Sequence, residues 1–143
     1  MQRLPTAAIA VIVTAVAGCS SSPAAPKAPV GGLLGGTAQV IINGTETGAI
    51  HDVECRTPAD SLTFINIGST DSGITALVDR RTLKGITFNH FGGLSGSYWQ
   101  DLQGTARLDM VDQTYRFTGT AVGFNNRDPY TRTTNSFTVK VAC

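Results

Sequence analysis

Tyr115-Arg116-Phe117-Thr118-Gly119-Thr120-Ala121 and, at the end of the chain, Phe137-Thr138-Val139-Lys140-Val141 decide the fold class. In both runs apolar or small residues alternate with Thr, Arg or Lys. A period of two sends one set of side chains to each face of an extended strand, one face for a core and one for water. The same alternation recurs upstream. Val40 and Ile42 share a face; Leu62, Phe64 and Asn66 alternate with Thr63, Ile65 and Ile67. Ile74, Ala76 and Val78 alternate with Thr75, Leu77 and Asp79; Ile86 and Phe88 follow; Ala106, Leu108 and Met110 alternate with Thr105, Arg107 and Asp109. No window shows helical periodicity. Turn-forming residues separate the runs: Asn43-Gly44, Pro58-Ala59-Asp60, Asp71-Ser72-Gly73, Gly92-Gly93, Asp112-Gln113 and Asp128-Pro129. Residues 37–143 are therefore expected to form one all-β domain, an antiparallel β-sandwich or small barrel of about seven to eight strands.

Upstream of that domain the composition changes twice. Residues 20–36, SSSPAAPKAPVGGLLGG, hold too little apolar surface to offset chain entropy and read as a flexible linker. Leu33-Leu34, between two glycine pairs, either docks on the domain or stays exposed. Residues 1–18 have the features of an export signal: Arg3 gives a short positive start, and Leu4 to Ala17 carries no charge. That stretch falls short of the roughly 20 residues a membrane-spanning helix needs, and Pro5 sits inside it. Val16-Ala17-Gly18-Cys19 resembles the bacterial lipobox, in which the cysteine thiol is acylated and the signal is cut just before it. Acyl chains hold an exported domain at the membrane at about 0.8 kcal/mol per buried CH₂, and two chains anchor stably where one does not. The competing reading is an ordinary cleaved signal with an incidental Cys19.

The whole chain has 11 Lys+Arg against 10 Asp+Glu, a net charge of +1. Removal of residues 1–18 takes Arg3 and leaves a balance of zero. Neither value provides the basic excess that nucleic-acid binding requires. Membrane attraction must then come from lipid rather than from charge.

Three cysteines is an odd number for an oxidising compartment. If Cys19 is acylated, Cys55 and Cys143 have only each other, and pairing is the default for an exported domain. The bond would join positions 88 apart in sequence and pin the last residue into the sheet. The alternative is two free buried thiols.

Catalytic chemistry finds little to work with. His51 and Asp52 are sequence neighbours and in a strand would point to opposite faces. His90 with Asp101 or Asp109 and a hydroxyl could form a triad, but Ser and Thr are too abundant for such a grouping to inform. No Gly-x-Ser-x-Gly elbow, HExxH, CxxC or Walker pattern is present. We expect no catalytic residues, no metal site and no cofactor. Asp109 and Asp112 read as flanks of a solvated turn, and Asn43-Gly44-Thr45 as a hairpin turn rather than a glycan acceptor. The remaining candidate binding surface is aromatic: Phe88, His90, Phe91, Tyr98 and Trp99, with Gly92, Gly93 and Gly96 among them. The competing reading makes Phe88 and Trp99 core residues on strands joined by a Gly-rich hairpin.

The block Tyr115–Gly123, then Asp128-Pro129, then Ser136–Cys143 resembles the mycobacterial 19 kDa lipoprotein antigen family. Val53-Glu54-Cys55 resembles that family's first cysteine strand. Ile67-Gly68, Gly73–Ala76 and Gly104-Thr105-Ala106 follow in the family's order. The likeness covers most of residues 40–143, and the lipobox and tether match too. It departs at residues 86–102, and the tether is short and poor in Thr where the family antigen carries a Thr-rich, glycosylated one. The resemblance implies a cell-envelope lipoprotein on the extracytoplasmic face of the membrane, an antigen or adhesin whose lipidated N-terminus is sensed by host Toll-like receptors. It brings no enzymatic activity. A second expectation is an envelope carrier that binds a lipid or other hydrophobic ligand in a cavity opening near residues 88–99. A small hydrolase, with His51 or His90 in a cleft, is the third.

Overall fold

The computed structural model describes residues 18–19 and 21–143. The export signal expected over residues 1–18 lies almost wholly outside them. The described residues form ten antiparallel strands and no helix. They are β1 Thr37–Ile42, β2 Thr45–Ile50, β3 Val53–Ala59, β4 Leu62–Gly68, β5 Gly73–Asp79, β6 Thr82–Phe91, β7 Leu94–Trp99, β8 Thr105–Val111, β9 Thr114–Asn125 and β10 Asp128–Ala142.

Nine of them lie side by side in the order β2-β1-β10-β9-β7-β6-β5-β4-β3, and β8 joins as a further partner of β9. The two ends of that path, β2 and β3, are consecutive in the chain, joined only by His51 and Asp52. The sheet therefore curls back on itself into a nearly closed barrel, which keeps its edges few and short. The expected all-β antiparallel class holds; the strand number is ten rather than seven to eight. One added strand is β2, whose residues are exposed apart from the half-buried Ile50, so it has no alternation to read.

β9 is the hub. It pairs with β10 along most of its length. On its other side, Thr114–Thr120 pairs with β8 and Val122–Asn125 with β7. The two partners share one edge because β9 carries glycines where they crowd it. A Cβ at Gly119 would lie 2.0 Å from the Thr105 carbonyl oxygen, so no other residue fits without moving β8.

The core follows the alternation. Val40, Ile65, Ile74, Ala76, Ile86, Phe117, Val139 and Val141 are each 0–1% exposed. Phe88 packs on Phe137 with ring centroids 5.2 Å apart. Burial of a side chain of this size is worth roughly 1.5–3 kcal/mol, so the inward rows dominate the favourable side of folding. At the β1–β2 hairpin Asn43 and Gly44 have φ of 50° and 80°, the pair of positive values that a two-residue hairpin loop needs. Asp128 starts β10 instead of a turn; the β9–β10 turn lies at Asn126-Arg127.

Candidate functional site

The tether carries the first candidate. Cys19 is exposed and unpaired, and residues 21–29 have no regular structure and are exposed. From Pro29 the chain joins the barrel. The Gly32 N–H donates to the Pro29 carbonyl at 2.9 Å, and the Gly36 N–H donates to the Ala142 carbonyl at 2.8 Å. The Leu33 N–H donates to the hydroxyl of Thr114, itself 2% exposed, at 2.9 Å. The backbone of the Leu33-Leu34 segment is thus tied to the barrel, with Leu33 half-buried and Leu34 exposed, and the ordered unit begins several residues before β1. Among the described residues, the exposed tether is Cys19 and residues 21–28.

Cys55 and Cys143 form a disulfide, with Cα atoms 5.9 Å apart. Cys55 is in β3, at one end of the strand path, and Cys143 follows β10, which lies near the other end. The bond therefore ties the barrel across its seam.

The aromatic group does not assemble as a surface. Phe88, Phe91 and Tyr98 are 1%, 9% and 7% exposed and belong to the core. Three of the five candidates are thus corrected to core residues. The reason is register: Phe88 and Tyr98 fall on the inward rows of β6 and β7, opposite Gly96 and Ile86. The irregularity between Phe88 and Phe91 turns Phe91 inward as well. His90, at φ 47°, is turned out within that irregularity, and its Nδ1 meets Asn89 Oδ1 at 2.9 Å. Trp99 is 40% exposed on the outer face. Burial, helped by the Asp101 carboxylate, raises the Tyr98 phenol above its ordinary pKa.

The hydrolase reading requires a histidine beside a carboxylate. His51 and Asp52 are both exposed in the β2–β3 connection, and His90 is hydrogen-bonded to an amide. The geometry gives that reading no support. Among the described residues, no group of three or more His, Cys, Asp or Glu side chains could hold a metal ion. A carrier needs an apolar cavity, and Phe88 and Leu94 fill the region where it would open. Several depressions of similar size lie open at the surface, the most voluminous, about 430 Å³, beside Arg56, Pro58 and Phe64. One of about 410 Å³ is lined by Glu54, Arg56, Asn66, Thr75, Thr87 and Asn89 among others. Another, about 390 Å³, lies between the turns at Asn43, Gly92-Gly93 and Asn126-Arg127.

Several exposed side chains were not signalled by the sequence. Tyr130 is 94% exposed. It sits where β10 loses register with β9 between Asp128 and Thr133, the only hint being Pro129. Leu102 is 83% exposed, beside Gln103, which accepts from Arg132 at 2.7 Å. Isolated apolar residues within a loop carry no pattern that separates exposed from buried.

A model of the Mycobacterium 19 kDa lipoprotein antigen family matches residues 31–143. A putative lipoprotein of Mycobacterium indicus pranii is 30% identical, the match covering all of both chains. The lipoprotein LpqH of Mycobacterium tuberculosis is 26% identical over all of this chain and 99% of its own. The probable lipoprotein LppE of the same organism is 30% identical over 55% of this chain and 59% of its own. None of these names specifies a reaction. The family match begins where the structure shows the tether turning onto the barrel, and it runs through the disulfide to the last residue. The chain belongs to the Mycobacterium 19 kDa lipoprotein antigen family.

Proposed function

We propose that this protein is exported and held on the extracytoplasmic face of the cell membrane by acyl chains on Cys19. Its disulfide-closed barrel acts as a non-catalytic interaction module, antigen- or adhesin-like in character. The observation that carries the reading is Cys19 itself. It is exposed, it follows an apolar run and Ala17-Gly18, and a tether separates it from a domain whose relatives bear lipoprotein names. On this reading the acylated N-terminus is also the part that a host Toll-like receptor engages, because it is the element accessible apart from the barrel. The packed core favours a protein that works through its surface over one that carries a hydrophobic ligand.

Metabolic labelling with a clickable fatty acid tests the anchor. The wild-type chain should carry the label and partition with membranes, and Cys19→Ala should lose both. Equal labelling of the two would refute the anchor. Purified acylated protein, applied to cells reporting Toll-like receptor signalling, should be active where the Cys19→Ala protein is silent.

A further inference from the structure

The end of the barrel that receives the tether carries apolar side chains held outward by a built turn. Gly31, third residue of the Pro29–Gly32 turn, has φ of 76°, a value that side-chain-bearing residues rarely adopt. This turn places Val30 at its tip, 99% exposed. It is fixed to the barrel through Leu33 and Gly36, and a Cβ at Gly31 would stand 4.0 Å from Val111 Cγ1. Val111 and Leu34 are themselves 40% and 39% exposed. Leu33 and Leu34 also line a depression of about 320 Å³ with Asp112 and Gln113. A fully exposed valine at the tip of a turn tied to the barrel, with Leu34 and Val111 close by, is free to make a contact outside the domain.

The tether says what meets it. Pro29 follows Cys19 by ten residues, which span at most about 35 Å when fully extended. Acyl chains on Cys19 would keep this end within about 35 Å of the bilayer. A second contact made at that range is intramolecular, with an effective concentration in roughly the millimolar range for a short flexible linker, so a few half-exposed aliphatic groups suffice to bias orientation. We propose that the tether end of the barrel rests on the bilayer surface, with Val30, Leu34 and Val111 seated among the lipid headgroups. The opposite end, with the turns at Asn43-Gly44, Gly92-Gly93 and Asn126-Arg127, then faces away from the membrane. The proposal rests on acylation of Cys19. Antiparallel pairing also brings the turns that hold Arg80, Arg81, Asp60 and Asp112 to the tether end. With both signs present, the contact is apolar and requires no anionic lipid.

The test uses isotope-labelled, acylated protein in phosphatidylcholine nanodiscs containing a lipid with a gadolinium-chelate headgroup. Intact mass first establishes the acyl chains. Amide signals of Val30, Leu34 and Val111 should be lost to relaxation, while those of Gly44, Gly93 and Arg127 persist, and raising the salt should not change this order. Val30→Ser combined with Val111→Ser should abolish the preference with fold and acylation intact, since both positions are solvent-facing. Uniform broadening, the reverse order, or an unchanged preference in the double variant would overturn the docking while leaving the anchor standing. A chain without acyl mass overturns both.

Discussion

The six-membered ring of Trp99 on β7 occupies the space that a side chain on Gly85 of β6 would fill. The two residues are direct cross-strand partners, and a Cβ at Gly85 would stand 2.4 Å from Trp99 Cε3. The indole shields the backbone that a strand glycine leaves bare. Gly85→Val should therefore lift the ring into solvent. Because Trp99 is the sole tryptophan, its emission should move to longer wavelength, and urea unfolding should show a loss of about 1–3 kcal/mol from overpacking. An unshifted spectrum in a folded Gly85→Val protein would contradict this geometry.

The Cys55–Cys143 bond spans 88 positions and crosses the barrel seam. A cross-link over a loop of this size restricts the unfolded chain, and loss of a native disulfide typically costs about 2–5 kcal/mol. Reduction, or Cys55→Ser with Cys143→Ser, should lower the unfolding free energy obtained from urea titration by that margin. Hydrogen exchange should rise first in β3 and in the last residues of β10, the strands freed at the seam. Uniform acceleration throughout the sheet would show that the bond acts only through the unfolded state.

Tyr98 gives a pH limit. Its phenol is raised above the usual value of 10.0 by burial first and by Asp101 second. The ionised form is thus less favourable in the folded protein than in the unfolded chain. The stability linked to Tyr98 is complete below the unfolded value and is lost as pH climbs through the higher folded one. Absorbance at the phenolate band should show a late-ionising phenol, absent from Tyr98→Phe, with unfolding becoming easier over the same alkaline interval. Asp101→Asn should bring that late phenol down slightly, and Tyr98→Phe should flatten the alkaline limb.

What the sequence made legible was what two-fold alternation can encode. Ile74-Ala76-Val78 and Phe137-Val139-Val141 lie on buried rows as their pattern required. The hairpin at Asn43-Gly44 was readable because its backbone demands positive φ. β2 was not, since an exposed edge strand has no buried face to mark it. The aromatic group misled for a related reason. Residue type shows that Phe88, Phe91 and Tyr98 bury well, but the side of the sheet they occupy depends on register and on the irregularity before Phe91. Cys19 stood out by its neighbours alone, whereas Val30 acquires meaning only once the turn that holds it outward is seen.

Asn43 joins two strands that its own hairpin does not connect. Its side-chain Oδ1 accepts from the Ser136 N–H at 3.0 Å, and its Nδ2 donates to Asn135 Oδ1 at 2.8 Å. Asn135 is 2% exposed, so its carbonyl has little access to water if that donor is removed. Asn43 also holds φ at 50°. Two costs are therefore separable by choice of replacement. Asn43→Gly keeps the backbone comfortable and forfeits the hydrogen bonds, which should cost about 1–3 kcal/mol for the stranded polar groups. Asn43→Ala adds the left-handed strain of about 1–2 kcal/mol. Urea unfolding should rank wild type above Gly and Gly above Ala. Should the Gly and Ala variants prove equally stable, the strain does not contribute and Asn43 serves β10 alone.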